Sequence, residues 1–560
     1  MCSTLPRALL ALAFVAVVPQ TATAAAQTVV MDALEAELAR ATKQLKLQDY
    51  DAPYHVAYTV KDVERRSLWG KVGAVHEDRA RRTRQAYVDV RVGDYALDSS
   101  EDLEPDWPLE DSYEPTVALP LEASKEAIQH TLWLLSDVRY KQAIASYLKV
   151  RGQRVFQAGK KEERPSFSRA PVVRHRDAPV PCQFDRERWI RLVETASAVL
   201  ASDPLVFDGA VHVEARCQRR WYADGPGTRL TTNQTIYALH LTAWARAPDG
   251  MLLERTWDRF APTEAGIPAQ REVLQAARDV VADLKALAVA PELGPYTGPA
   301  LLEPPATGVF FHEVLGHRLE GHRQDDEEEG QTFADYLDKK IMPTWLSVSD
   351  DPTRRQHQGM PLNGHYRYDD EGVRAQHVSL VDRGILKGFL MGRRPVAGFS
   401  ASNGHGRAEG LLDPVARMGN LVVEAHETVS RQALKKKLLE EARKQGRPYG
   451  LIVRDVTGGA TNTSSYGFQA FKGQAHMVYR VDAQTGEETL VRGVDIVGTP
   501  LTSLNNILAA SDETGVFNGY CGAESGMIPV STVAPAVLFR EIELQRAAQG
   551  RSRGPVLPAP

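Results

Sequence analysis

The segment GVFFHEVLGHRLEGHRQ, Gly308 to Gln324, passes from a short apolar run into His312, Glu313, His317 and His322. Neutral imidazoles suit zinc and other borderline divalent metals. A carboxylate beside a ligand can take a proton from an activated water, which is the logic of H-E-x-x-H on a helix. The spacing here differs, because His312 and His317 are five apart. At about 100° per residue an α-helix would set them roughly 140° from each other, so a regular helix cannot aim both at one ion. A single π-type turn, closing i→i+5, returns them to one side, and Gly316 offers such a turn little steric resistance. Glu313 then stands one step aside, near a metal without binding it. The competing reading is a set of hydrogen-bonded, inert histidines on a partly buried helix, and a short motif alone leaves both open.

At 560 residues the chain exceeds one ordinary core, so two domains are expected. With 43% apolar and 25% charged residues, it has the composition of a folded globular chain. The first residues, MCSTLPRALLALAFVAVVPQTATAAAQ, combine Arg7, an apolar run of eleven residues from Ala8 to Val18, and small residues at Ala22, Ala24 and Ala26. That is the pattern of a secretory signal peptide, and the run is too short to span a bilayer. We therefore expect removal near Ala24 to Ala26, a periplasmic or secreted protein, and no membrane span thereafter. Loss of Arg7 and of no acid takes the formal net charge from −5 to −6. Nucleic acid is thereby an unsuitable partner, since phosphate binding needs clustered Lys and Arg in excess. Cys182, Cys217 and Cys521 remain. In an oxidising compartment Cys182 and Cys217 suit a disulfide, and the odd cysteine needs another role, a soft metal ligand being one.

Along the chain, Val29 to Leu47 has helical spacing, and runs such as HVAYTV and AYVDVRV alternate as in an antiparallel meander. Ser99 to Pro115 is acidic and reads as a solvated loop. Helical patterns recur at Leu121 to Leu148, Glu187 to Leu200 and Pro268 to Val289, with strands at Gly209 to Arg216 and Thr235 to Ala245. PELGPYTGP, Pro291 to Pro299, reads as a boundary. Beyond it, Asp325 to Gly330 reads as a solvated acidic face, and Gln376 to Gly392 as a hairpin turning near Asp382-Arg383-Gly384. Further strands are expected at Asn420 to Glu424, Gly450 to Val456, Phe468 to Val481 and Glu488 to Val494. Helices are expected at Val429 to Gln445 and Pro500 to Ala510. The fold class is α+β: a leader over 1–26, an N-terminal α/β domain over 27–290, a β-rich domain over 291–548 with the metal-motif helix at its start, and a tail over 549–560.

HEVLGH (His312 to His317), YDDEGVRAQHVSLVDRGILKGFLMG (Tyr368 to Gly392), NGHGRAEG (Asn403 to Gly410), PVARMGN (Pro414 to Asn420) and GYCGAESGMIPVSTVAPAVL (Gly519 to Leu538) together resemble the TldD/PmbA family of metalloproteases. The resemblance covers about half the chain, and its five-residue histidine spacing is more specific than a generic H-E pair. It implies that His312, His317 and Cys521 hold the metal and that Glu313 is the catalytic base. Two imidazoles and one thiolate would leave a fourth tetrahedral position for water, in agreement with this. It further implies dimers, homomeric or with a related subunit lacking the metal motif, acting on unfolded peptides. Two features depart from the family: Glu320-Gly321-His322 stands where E-G-D is common, and a leader precedes the chain.

The reading is a secreted zinc peptidase in which the metal polarises the scissile carbonyl and Glu313 carries a proton from water to the leaving amine. An oxyanion donor is needed as well, and His322, His405 and Tyr466 are unranked candidates. The alternatives are a zinc amidase acting on a small or cell-wall amide, and a non-enzymatic peptide-binding subunit with a structural metal.

Overall fold

The computed structural model describes residues 20–101, 115–156, 164–326, 328–466, 470–547 and 551–553, with 555 and 557 as single positions. The apolar run of the expected leader, most of the acidic stretch after Ser99 and much of the expected tail lie outside the described residues.

Period-two alternation organises the N-terminal part. Helix α1 (Gln20–Gln44) precedes the long pair β1 (His55–Lys71) and β2 (Ala74–Arg91). Next come α2 (Lys125–Phe156), β3 (Arg174–Arg176), α3 (Arg186–Leu200), β4 (Val206–Asp224), β5 (Arg229–Arg246), β6 (Leu252–Ala261) and α4 (Gln270–Val289). The strand order is β2-β1-β4-β5-β3 with β6 on β5, antiparallel except where β3 meets β5. Val56, Tyr58, Val60 and Leu68 of β1 alternate onto one face, as do Val211, Val213, Ala215, Trp221 and Ala223 of β4, and all are buried. Helices cover that face. α1 and α2 pack around Leu34, Ile128 and Leu132, while α3 and α4 pack around Trp189, Val273 and Leu284. Each large side chain so buried contributes about 1.5–3 kcal/mol, which is why the apolar face selects the helices. The opposite face carries Lys61, His212, Arg220, His240 and Asp258 and meets the second half of the chain. There, Lys61 donates to Ala408 O at 3.0 Å and Arg220 to Asp370 Oδ1 at 2.7 Å.

That second half opens with β7 (Tyr296–Leu302) and α5 (Pro304–Phe311), followed by β8 (Leu346–Asp350) and the small pair β9 (Gln356–His357) and β10 (Met360–Pro361). The hairpin β11 (Val378–Asp382) and β12 (Ile385–Leu386) is next, then the small pair β13 (Gly406–Arg407) and β14 (Val415–Ala416), β15 (Asn420–Ala425) and α6 (Arg431–Lys444). The chain closes with β16 (Tyr449–Thr461), β17 (Phe471–Asp482), β18 (Glu488–Val491), β19 (Val494–Gly498), α7 (Pro500–Asn505), β20 (Ile507–Ala523) and β21 (Gly526–Arg546). Apart from the two small pairs, these strands form one eleven-stranded sheet. Strand β21 is its spine: one stretch pairs with β20 and β15, and the stretch beyond pairs with β7 and β19. Because β7 also pairs with β16, β16 with β17 and β17 with β19, five strands close on one another. Helix α5 is buried against this ring, with Phe310 4.8 Å from Phe539 and 5.2 Å from Phe471 between ring centroids.

The α+β class and the β-rich second half match the expectation, and local details differ. The run Glu488 to Val494 is two strands, because Gly493 at φ 82° turns the chain between β18 and β19. The helix expected over Pro500 to Ala510 stops at Asn505, since Ile507 already pairs with Phe539. The acids after Gln324 are not a bare solvated face: Asp325 pairs with Arg164 and Glu329 with Arg323. Among the described residues no helix is long and apolar enough to cross a membrane. Cys182 and Cys217 form a disulfide that closes a loop of 35 residues onto β4. Loop-closure entropy makes such a bond worth about 3–4 kcal/mol. The double variant Cys182→Ser/Cys217→Ser should melt roughly 5–7 °C lower by calorimetry.

Candidate metal centre

Helix α5 ends at Phe311, and His312–Gly316 continue it as one π-helical turn, closed by the His317 N–H donating to His312 O. Gly316 keeps ordinary helical dihedrals, but a Cβ there would collide with Met418 Sδ, so a larger residue would need that side chain to move. Arg318 fastens the end of the turn, donating to Glu313 O at 2.7 Å and to Asn462 O at 2.9 Å. The turn brings the His312 and His317 rings within 5.0 Å, nearly perpendicular at 86°.

Cys521 arrives on β20, paired with Ile528 of β21. Its Sγ lies 3.2 Å from His312 Nε2 and 3.3 Å from His317 Nε2, and the three donor atoms all fall within 4.8 Å of one another. Burial alone would raise the Cys521 thiol, yet the two imidazoles hold it well below its ordinary value. A thiolate is the form a metal binds. Arg417 donates to Cys521 Sγ at 3.1 Å and to Cys521 O at 2.8 Å, positioning the sulfur. Behind His317, Glu320 Oε2 lies 3.3 Å from Nδ1 and accepts from Arg323 Nε at 2.9 Å, while Glu320 Oε1 forms a fully buried ion pair with Arg417 at 3.2 Å. Burial opposes the Glu320 charge, but His317, Arg323 and Arg417 keep this carboxylate ionised. A carboxylate on the outer nitrogen of an imidazole fixes which nitrogen faces a metal, here Nε2. Two imidazoles and a thiolate, buried and aimed at one another, fit a zinc-type ion with one tetrahedral position left over.

The three donors open onto a cavity of about 560 Å³ that Glu313 also lines. Burial raises the Glu313 carboxyl, against the pull of His312 and His317. A Cβ at Gly459 of β16 would strike the Glu313 side chain, so that strand must pass as backbone alone. Of the three expected oxyanion donors, none lines this cavity. His322 is bound to Glu524, His405 is fully buried between Asn403 and Asp350, and Tyr466 is 83% exposed. Residues that the sequence reading passed over do take part. Glu320 and Arg417 hold the ligands, and His240 and Asp258 of the N-terminal sheet line the cavity. Glu320 falls on the next turn after His317 and Arg417 within the PVARMGN segment, both usable signals, but nothing local marks His240 and Asp258.

Residues 295–546 match the family model described as PmbA/TldA metallopeptidase C-terminal domain. A metalloprotease of Archaeoglobus fulgidus is 31% identical over 255 residues, covering 45% of this chain and 54% of that protein. A zinc metalloprotease TldD homolog of Saccharolobus solfataricus is 27% identical over 256 residues, covering 45% and 52%. The matches thus span about half the length of these relatives. The crystal structure of TldE from Thermococcus kodakarensis superposes on 92% of this chain and 100% of its own, with TM-score 0.60 and 13% identity, a likeness of fold. The C-terminal half of the chain is thus similar to the C-terminal domain of PmbA/TldD-type metallopeptidases, and within the matched region the π turn lies near the start and Cys521 near the end.

Two substitutions probe the centre. Glu320→Gln should weaken zinc binding by about 10–100-fold in chelator competition, because the imidazole loses its anchor. Gly316→Ala should lower stability by about 1–3 kcal/mol in denaturant unfolding, because Met418 must move.

Proposed function

We propose that this chain is an exported zinc metallopeptidase that hydrolyses unfolded peptides. The observation that carries the reading is the convergence of His312, His317 and Cys521 on one cavity beside Glu313, whose carboxylate makes no hydrogen bond among the described residues. The names of the relatives support the peptidase class, and one of them is named for zinc. A zinc ion held by the three side chains would polarise the scissile carbonyl and acidify a water molecule. Glu313 accepts a proton from the water whose oxygen adds to the carbonyl carbon, and returns it to the nitrogen as the C–N bond breaks. Arg417 and Glu320 keep the ligands in place throughout. Export is supported by the Cys182–Cys217 bond, which persists in oxidising compartments, and by the apolar start of the chain. The sequence resemblance to the TldD/PmbA family is what suggests a dimer, either of two such chains or with a related subunit.

Cleavage of an unfolded polypeptide by the zinc-loaded protein tests the reading. Glu313→Gln should retain zinc and lose roughly 10²–10⁴-fold in turnover. Cys521→Ser should lose both zinc and turnover. Full turnover in the Glu313 variant contradicts the mechanism, and cleavage of small amides alone moves the reading to an amidase.

A further inference from the structure

The polar face of the N-terminal sheet carries a row of cross-strand neighbours, His212 on β4, His240 on β5 and Asp258 on β6, in direct register. The middle residue is held on every side. His240 Nδ1 is 2.6 Å from Asp258 Oδ1, its ring stacks on His212 at 5.9 Å, and Phe260 packs edge-on at 5.5 Å. His212 is itself tied to Ser67 Oγ at 3.0 Å. Phe260 in turn meets Tyr520, the residue before Cys521, at 6.2 Å. Thus one aromatic ring separates the imidazole from a neighbour of the metal-binding sulfur. His240 and Asp258 line the same cavity as His312, Glu313, His317 and Cys521, and His240 Nε2 makes no hydrogen bond among the described residues.

We propose that His240 is a further catalytic residue, donating Nε2–H to the carbonyl oxygen of the scissile amide as that oxygen gains charge, with Asp258 as its positioning residue. The proposal rests on the peptidase reading above. With Nδ1 bound to Asp258, Nε2 is the ring nitrogen left without a hydrogen bond among the described residues, and it donates when it carries a proton. A charge-assisted donor is roughly twice as strong as a neutral one, and one already oriented needs no rearrangement when the oxyanion forms. Apart from Glu313 and Tyr520, the other polar side chains of the cavity have partners among the described residues. Arg323 serves Glu320 and Glu524, Asn518 is bound to Ser531 and Pro361 O, Thr457 to His476 and Thr461 to Arg318. The Tyr520 hydroxyl makes no hydrogen bond among the described residues, and its ring is set by Phe260 alone among aromatic neighbours. No proton leaves His240 in this role; Glu313 carries the one that moves from water to the amine.

The test uses the zinc-loaded full chain, an unfolded peptide substrate and a phosphinic peptide, whose tetrahedral anion mimics the adduct. His240→Ala should retain zinc, leave KM within a few-fold and lower kcat by roughly 10²–10³-fold. It should loosen the phosphinic peptide, measured by calorimetry without turnover, by a similar factor. Asp258→Asn, which keeps the shape of the side chain, should move both quantities in the same direction by less. An active parent with unchanged kcat and phosphinate affinity in His240→Ala overturns the proposal and leaves the peptidase reading standing. So does a loss confined to Tyr520→Phe. A zinc-loaded parent that cleaves no peptide overturns the peptidase reading itself.

Discussion

The hydrogen bond from His317 N–H to His312 O is the contact on which the metal centre depends. It widens one helical turn by a residue and so places two imidazoles, five apart in sequence, on the same side of the chain. An ordinary i→i−4 bond at that point would turn His317 away and leave Cys521 with one partner. The turn is held from three directions: Met418 occupies the space beside Gly316, Arg318 ties its end to the neighbouring strand region, and α5 anchors its start among Phe471 and Phe539. A π turn in isolation is unfavourable, and it persists here because the surrounding packing determines it.

The second requirement is long-range. Cys521 is 209 residues from His312 and reaches it only because β20 folds back along β21, the strand that also closes the five-stranded ring around α5. The same sheet thus fixes the helix that leads to the histidines and the strand that carries the thiol. Charge completes the assembly. Glu320 and Arg417 form a buried pair whose outer contacts reach His317 on one side and Cys521 on the other. Such a pair is costly to desolvate, and its value lies in setting the geometry of the two ligands. Polar atoms from the N-terminal sheet then line the far part of the cavity, so neither half of the chain forms it alone.

Much of this was legible in the sequence where the signal is local. The i→i+5 spacing rules out a regular helix aiming both histidines at one ion and makes a π turn the way to do so, because the angle between positions follows from helix geometry alone. Long alternating runs announced the N-terminal strands. Cys521 could be tied to the histidines only through family resemblance, since nothing in its own surroundings marks it as a ligand. His240 and Asp258 were not legible, because each acquires its place from strand register or from packing between halves that are far apart in sequence. The oxyanion candidates drawn from the sequence failed for the same reason. His405 has the right chemistry, but its partners Asp350 and Asn403 bury it elsewhere.

The central claim is that one metal sits on two imidazoles and a thiolate brought together by that turn. X-ray absorption at the zinc edge of the purified protein tests it most directly. The account predicts one sulfur at about 2.3 Å and the remaining nitrogen and oxygen ligands at about 2.0–2.2 Å. A bound zinc whose first shell contains no sulfur would contradict it.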